Sequence, residues 1–161
     1  MDRAAKAIEQ WNRERPDLDV SPMGVIGRLN EASSLIARDR LAPLFARFGL
    51  QSGEFDVLAT LRRSGAPFAL TPTALYEATM VTSGAMTARL DRLEKAGWIE
   101  RAPHPSDRRG IVVRLTTTGI ALIDEAVTAH VANEHGILAG LTRTEREMLS
   151  RLLEKLIGSV S

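Results

Sequence analysis

Residues 104–116 read HPSDRRGIVVRLT, placing a Pro, an Asp and two adjacent arginines at a loop tip ahead of an alternating β-branched strand. A guanidinium pair in such a place can be a solvated turn, a salt-bridge donor or a grip on phosphate. The distribution of charge along the chain helps decide. The 161 residues carry a formal net charge of only +1. Residues 1–81 hold 10 basic and 10 acidic side chains, and residues 117–161 hold 4 against 6. Residues 82–116 hold 7 basic side chains (Arg89, Arg92, Lys95, Arg101, Arg108, Arg109, Arg114) against 4 acidic ones. Positive charge is therefore gathered around the arginine loop, as a nucleic-acid interface requires of a local face rather than of a whole protein.

The neighbouring elements sharpen that reading. Thr71 before Pro72 predicts a helix start, with the proline at the first helical position. Its helix ends near Thr79, and Met80 and Val81 lead to a second cap, Thr82. In the following SGAMTARLDRLEKAG, Met86, Leu90 and Leu93 form a buried stripe and Gly97 stops the helix. Two short helices joined by a tight turn, the second basic, make a helix-turn-helix. The second would present Ser83, Thr87, Arg89 and Arg92 outward. WIER (98–101) and IVVRL (111–115) then read as two strands of a hairpin tipped by HPSDRRG.

A helix-turn-helix sets its second helix in the major groove, where Ser, Thr and Arg reach base edges and phosphates. A hairpin directly after it falls over the adjacent minor groove, and Arg109 is long enough to enter there. Asp107 has no affinity for phosphate, so its role is to orient the guanidinium through a charge-assisted hydrogen bond. Gly110 lets the chain return into the strand. Taken alone, the Arg-Arg loop would be read as a solvated hairpin.

The rest of the chain is helical. Ala4, Ile8 and Trp11 mark a first helix stopped by Pro16, and residues 15–22 form a linker. A longer pattern runs from Met23 to Phe48 with Ile26, Leu29, Ser33 and Ile36 along one stripe, and Pro43 predicts a kink or restart. Ser52 is expected to cap a helix through Phe55, Leu58 and Leu61 that ends at Gly65. Two helices follow the hairpin, over about 117–139 and from a capping box at Thr142 and Glu145 through Leu156. The expected architecture is mainly α with one small β-hairpin, a single domain.

Asp107-Arg108-Arg109, then Val113-Arg114-Leu115-Thr116 and Gly119, with Ala96-Gly97-Trp98-Ile99 ahead of them, resemble the MarR family of transcriptional regulators. The likeness runs from about residue 24 to 158. It implies a homodimeric winged helix-turn-helix repressor on a pseudo-palindromic operator in double-stranded DNA. Residues 51–116 would bind DNA, and 23–50 with 117–161 would form the dimer interface, the last helix serving as core as well. It implies a recognition helix from Thr82 to Lys95, and Asp107 and Arg109 as the wing pair.

Residues 1–22, with Trp11 and Arg15-Pro16-Asp17-Leu18-Asp19, are similar to the urate-responsive PecS/HucR-like branch of that family, as are FDVLATLRRSG (55–65), LTPTALY (70–76) and MVTSGAMT (80–87). The similarity implies a purine site formed by Trp11, Asp56, Arg63 and Arg101. Asp56 and Arg63 are seven apart, nearly two helical turns, so both emerge on one side. Trp11 could stack on a flat monoanion such as urate, Arg63 pair with its charge, and Asp56 accept ring N–H groups. Any contact from Asp56 to Arg101 would couple such a site to the wing. Each residue has a plainer alternative: Trp11 as an anchor of its helix, Asp56 and Arg63 as solvated charges, Arg101 as a phosphate contact. A phenolic ligand, or a helical adaptor of the same fold that does not bind DNA, are the competing functions.

Several classes are set aside. With no cysteine there is no thiolate metal site or thiol switch. His130 and His135 are five apart, off the spacing that would align them for a metal on one helix face, and no catalytic motif occurs. No enzyme activity, cofactor or metal is expected. The N-terminus lacks the apolar stretch of a signal peptide and no run could span a bilayer, so no membrane partner and a cytoplasmic home are expected.

Overall fold

The computed structural model describes residues 2–79, 83–104 and 110–161, with the side chains of residues 83 and 84 left aside. The chain divides into two compact units, Met1–Pro43 and Leu44–Ser161.

In the first unit, Asp2 caps α1 (Arg3–Glu14) by accepting from the Ala5 N–H at 2.7 Å. Helix α2 (Ser21–Ile36) begins with Pro22 in its first turn. The two helices meet through small residues. A Cβ on Gly27 would lie 3.3 Å from Ala4 Cβ, and one on Gly24 would lie 2.7 Å from Ile8 Cδ1. Ile26 and Leu29 face outward, 47% and 36% exposed, so the apolar stripe of α2 stays open while α1 packs on its small-residue face. Asp2 also accepts from Arg28 Nε at 2.8 Å, pinning the start of α1 to α2. Ahead of Pro43 the helix widens into a π-turn, Ala37–Leu41, where the Ala42 N–H donates to Ala37 O. The expected restart takes this form because a proline has no N–H to donate to the preceding turn. Helix α3 (Ala42–Arg47) follows and carries the division between the two units, which falls after Pro43.

The second unit is built on α4 (Ser52–Arg63). Its N-cap is Gln51, not Ser52: Glu54 reaches back to the Gln51 N–H at 2.8 Å and completes a capping box. Gly65 ends the helix at φ +80°, a backbone conformation that disfavours a Cβ. Strand β1 (Ala69–Leu70), α5 (Pro72–Thr79), α6 (Ser83–Lys95), β2 (Ile99–Pro103) and β3 (Ile111–Leu115) come next, then α7 (Thr117–Ile137) and α8 (Arg143–Val160). The described strands form an antiparallel sheet in the order β1-β3-β2, so the hairpin gains a short third strand. Two residues are too few to show an alternating pattern in sequence.

Leu58 and Leu61 of α4, Leu75 of α5, Leu93 of α6, Ile99 and Val113 of the sheet and Ile123 of α7 are fully buried and make the core. Phe45 and Phe55 stack with centroids 4.3 Å apart. Arg62 Nε donates to Asp124 at 2.7 Å, bracing α4 on α7. Thr142 and Glu145 form the expected capping box of α8, yet α8 buries none of its residues. Its expected role as core is therefore not met within one chain. No described helix is long and apolar enough to cross a membrane.

Candidate nucleic-acid interface and ligand site

Thr71 Oγ1 accepts from the Ala74 N–H at 3.1 Å and starts α5 as its sequence requires. On α6, Met86, Leu90 and Leu93 are buried, which turns Thr87 and Arg92 to the solvent side. Ser83 stands in the first turn of α6. The helix closes in a Schellman motif, with Trp98 N–H on Leu93 O and Gly97 N–H on Glu94 O, Gly97 being at φ +76°. Strands β2 and β3 pair from Ile99↔Leu115 to Pro103↔Ile111, and His104 N–H donates to Gly110 O at 2.9 Å. Thr82, Asp107, Arg108 and Arg109 lie outside the described residues.

The base of the hairpin is tied to α6 by one residue. Arg101 donates from Nη1 to Glu94 and from Nη2 to Asp91 at 2.6 Å, while its backbone N–H donates to Glu94 at 3.1 Å. The bond to Asp91, with Glu94 adding to it, raises the Arg101 pKa above its ordinary value. Both carboxylates belong to α6, so these bonds join Arg101 to the second helix of the helix-turn-helix rather than to Asp56.

Helix α6 is tied to α4 as well. Arg92 Nε lies 2.9 Å from Oε1 of the buried Glu54, an ion pair rather than an aligned hydrogen bond. Arg89 does not extend outward as its position suggested. Its guanidinium lies over Gly53, where an added Cβ would meet Arg89 Cζ at 2.2 Å. Partial burial raises the Asp56 carboxyl above the usual carboxylate range, and the nearby Arg89, Arg63 and His130 pull the other way. Arg63 Nη2 also donates to Ala78 O at 3.4 Å, at the end of α5. Asp56 and Arg63 thus share a charge cluster with Arg89 and His130, two residues not assigned to a ligand in the sequence reading. The readable sign was Gly53, three residues before Asp56 on the same helical face. Trp11 belongs to α1 of the first unit and is 44% exposed.

A short helix, a longer second helix with a buried stripe, and an antiparallel hairpin braced on that helix define a winged-helix DNA-binding protein. A model described as MarR family matches residues 48–110. The chain is 48% identical over 146 residues to the HTH-type transcriptional regulator PecS of Dickeya dadantii, covering 91% of this chain and 87% of that one. It is 33% identical over 141 residues to the multiple antibiotic resistance protein MarR of Escherichia coli, covering 86% and 93%. Among solved structures, a mutant E. coli MarR complexed with operator DNA superposes with a TM-score of 0.72 at 30% identity, covering 91% and 96%.

The chain belongs to the MarR family, and its likeness to PecS places it in the PecS-like branch. It is a winged helix-turn-helix transcriptional regulator and not an enzyme.

Proposed function

We propose that the protein is a homodimeric repressor that binds a pseudo-palindromic operator and is released by a small aromatic anion, urate or a related purine. Helix α6 lies in the major groove, with Thr82, Ser83, Thr87 and Arg92 toward bases and phosphates. The 104–110 loop carries Arg108 and Arg109 to the flanking backbone and minor groove, with Asp107 orienting Arg109. Two copies set half-sites about one helical turn apart. The observation that carries this reading is the bracing of the hairpin on α6 through Arg101, because it makes helix and wing one body that can dock together. The operator complex of the E. coli relative supports the DNA partner. The exposed apolar residues of α8 support a second copy.

The ligand reading rests on Asp56 and Arg63, whose cluster meets α6. A ligand shifts the operator equilibrium only by its difference in affinity for the free and DNA-bound forms.

The test of the DNA reading is Arg109→Ala. Removing one minor-groove arginine should weaken operator binding by roughly 1–3 kcal/mol and leave the fold untouched. Gel-shift titration at two salt concentrations measures this, and the intact protein must show an affinity falling with salt as its phosphate contacts release counterions. Equal retention of operator and scrambled duplex would contradict sequence-specific binding.

A further inference from the structure

One face of the hairpin is turned toward α6. Antiparallel partners share a face, so Ile99 with Leu115, Arg101 with Val113, and Pro103 with Ile111 all lie on it. The bonds from Arg101 to Asp91 and Glu94 identify it as the α6 side. Glu100 and Arg114 lie on the opposite face, where Arg114 Nε donates to Glu100 at 2.6 Å. On the α6 side the packing ends before the apolar side chains do. Ile99, Val113 and Leu115 are buried, whereas Pro103 is exposed and Ile111 is 47% exposed. This exposed pair stands two residues beyond Arg101 and Val113, about 7 Å further toward the tip. A lone exposed isoleucine needs no explanation. A pair set directly across the ladder does need one, because threonine at position 111 would serve the strand equally well.

Three observations choose the occupant of this face. Residues 82–116 carry seven basic side chains against four acidic ones, which favours a polyanion. Strand β2 is at the edge of the described sheet, and Pro103 has no N–H to offer there, which discourages a second copy from adding a strand. The pair is also continuous with the DNA-binding elements, between the helix α6 on one side and the 104–110 loop on the other. With the helix in one groove and the loop in the next, a backbone strand of the duplex runs between them. Pro103 and Ile111 flank the loop and are not at its tip, so they meet the wall of the groove and not its floor.

We infer that Ile111 and Pro103 pack on deoxyribose rings of the backbone strand that separates the two grooves. This deepens, and rests on, the joint docking of α6 and the hairpin proposed above. The chemistry recognised is the apolar edge of a sugar, neither a base nor a phosphate. Such a contact adds affinity and fixes the hairpin on the duplex without reading sequence.

The experiment is titration of the full-length chain against operator and scrambled duplex at several salt concentrations. Ile111→Thr keeps the β-branch and should lose about tenfold on both duplexes, as when one apolar side chain leaves a contact. Its salt slope should match that of the unmodified chain, since a sugar contact releases no counterion, whereas Arg109→Ala should flatten the slope by about one. Calorimetry should show a less negative heat-capacity change for Ile111→Thr binding operator. Thermal melting and light scattering should be unaltered, the side chain being half exposed. Ile111→Val, one methylene smaller, should lose about threefold and carries the test should the threonine variant melt early. Unchanged duplex affinity in both variants would overturn the inference. A loss confined to the operator would overturn it by assigning Ile111 to a base. Dissociation of the free protein by Ile111→Thr would overturn it by giving the face to a second copy. In each of those cases the docking of helix and hairpin survives, whereas an unmodified chain with no salt-dependent affinity for duplex would overturn both.

Discussion

Replacing Leu152 and Ile157 together with glutamate should leave the chain folded and make it a monomer with little operator affinity. Both side chains are on α8, which is 59% and 62% exposed at these positions. Met148, Leu149 and Val160 of the same helix are exposed too. An 18-residue helix that buries no residue is not held by its own propensity in water, and so large an apolar stripe calls for a partner. In a twofold dimer each substitution appears twice, which sets four carboxylates in an apolar seam. At roughly 1 kcal/mol or more apiece, the low end for burying a polar group unpaired, the dimer should weaken by about 4 kcal/mol, close to a thousandfold. Light scattering across a dilution series checks this, with the helical signal of the monomer unchanged. A double variant that stays dimeric at micromolar concentration would show that α8 is not the seam. Loss of dimerisation with full operator affinity would show that one copy suffices for DNA.

What could be read from the sequence, and what could not, divides by the range of the interaction. Caps are local, and Thr71, Thr142 with Glu145, and Gly97 do what their types and offsets require. Periodicity over a single helix placed Met86, Leu90 and Leu93 inside. Shift by one residue was enough to defeat the cap of α4, because Gln51 and Glu54 form a reciprocal pair and Ser52 is already helical. The stripe of α2 shows a different limit. Periodicity says that a face is apolar but not what covers it, and α1 settles on Gly24 and Gly27 instead of on Ile26 and Leu29.

Side-chain destinations across elements were the least readable. Arg89 has the spacing of an outward residue on an amphipathic helix, and only the missing Cβ of Gly53, a residue of another helix, lets it turn inward. Arg101 could be seen to start the hairpin, but not that two carboxylates of α6 would claim it. Those two arginines and Arg92 together fix the position of α6: Arg101 reaches it from the sheet, and Arg89 and Arg92 reach from it to α4. Surface ion pairs are individually weak, and the pair with the buried Glu54 is the one whose disruption leaves a desolvated charge behind.

The largest single-residue effect on stability should come from Gly119→Ala at the start of α7. Thr116 caps this helix, accepting from the Gly119 N–H at 3.0 Å. Thr116 and Thr118 both donate their hydroxyls to Gly97 O, at 2.7 and 2.9 Å, so the first turn of α7 is drawn down onto the segment that links α6 to β2. At that contact a Cβ on residue 119 would lie 1.9 Å from Trp98 O and 2.8 Å from Trp98 C. The obstacle is backbone, and it cannot swing aside as a side chain would, because Trp98 O accepts from the Thr116 N–H at 3.1 Å and the Trp98 N–H is spent on the Schellman turn. Relief requires moving the start of α7 or the end of α6, which places the cost near the upper end of the overpacking range, about 3 kcal/mol. Urea denaturation of the variant should show a lower midpoint with an unchanged slope. The displacement also bears on the hairpin, whose first residue, Ile99, directly follows Trp98, so operator binding should weaken even at temperatures where the variant is fully folded. An unfolding midpoint matching that of the unmodified chain would mean that α7 does not dock on Trp98.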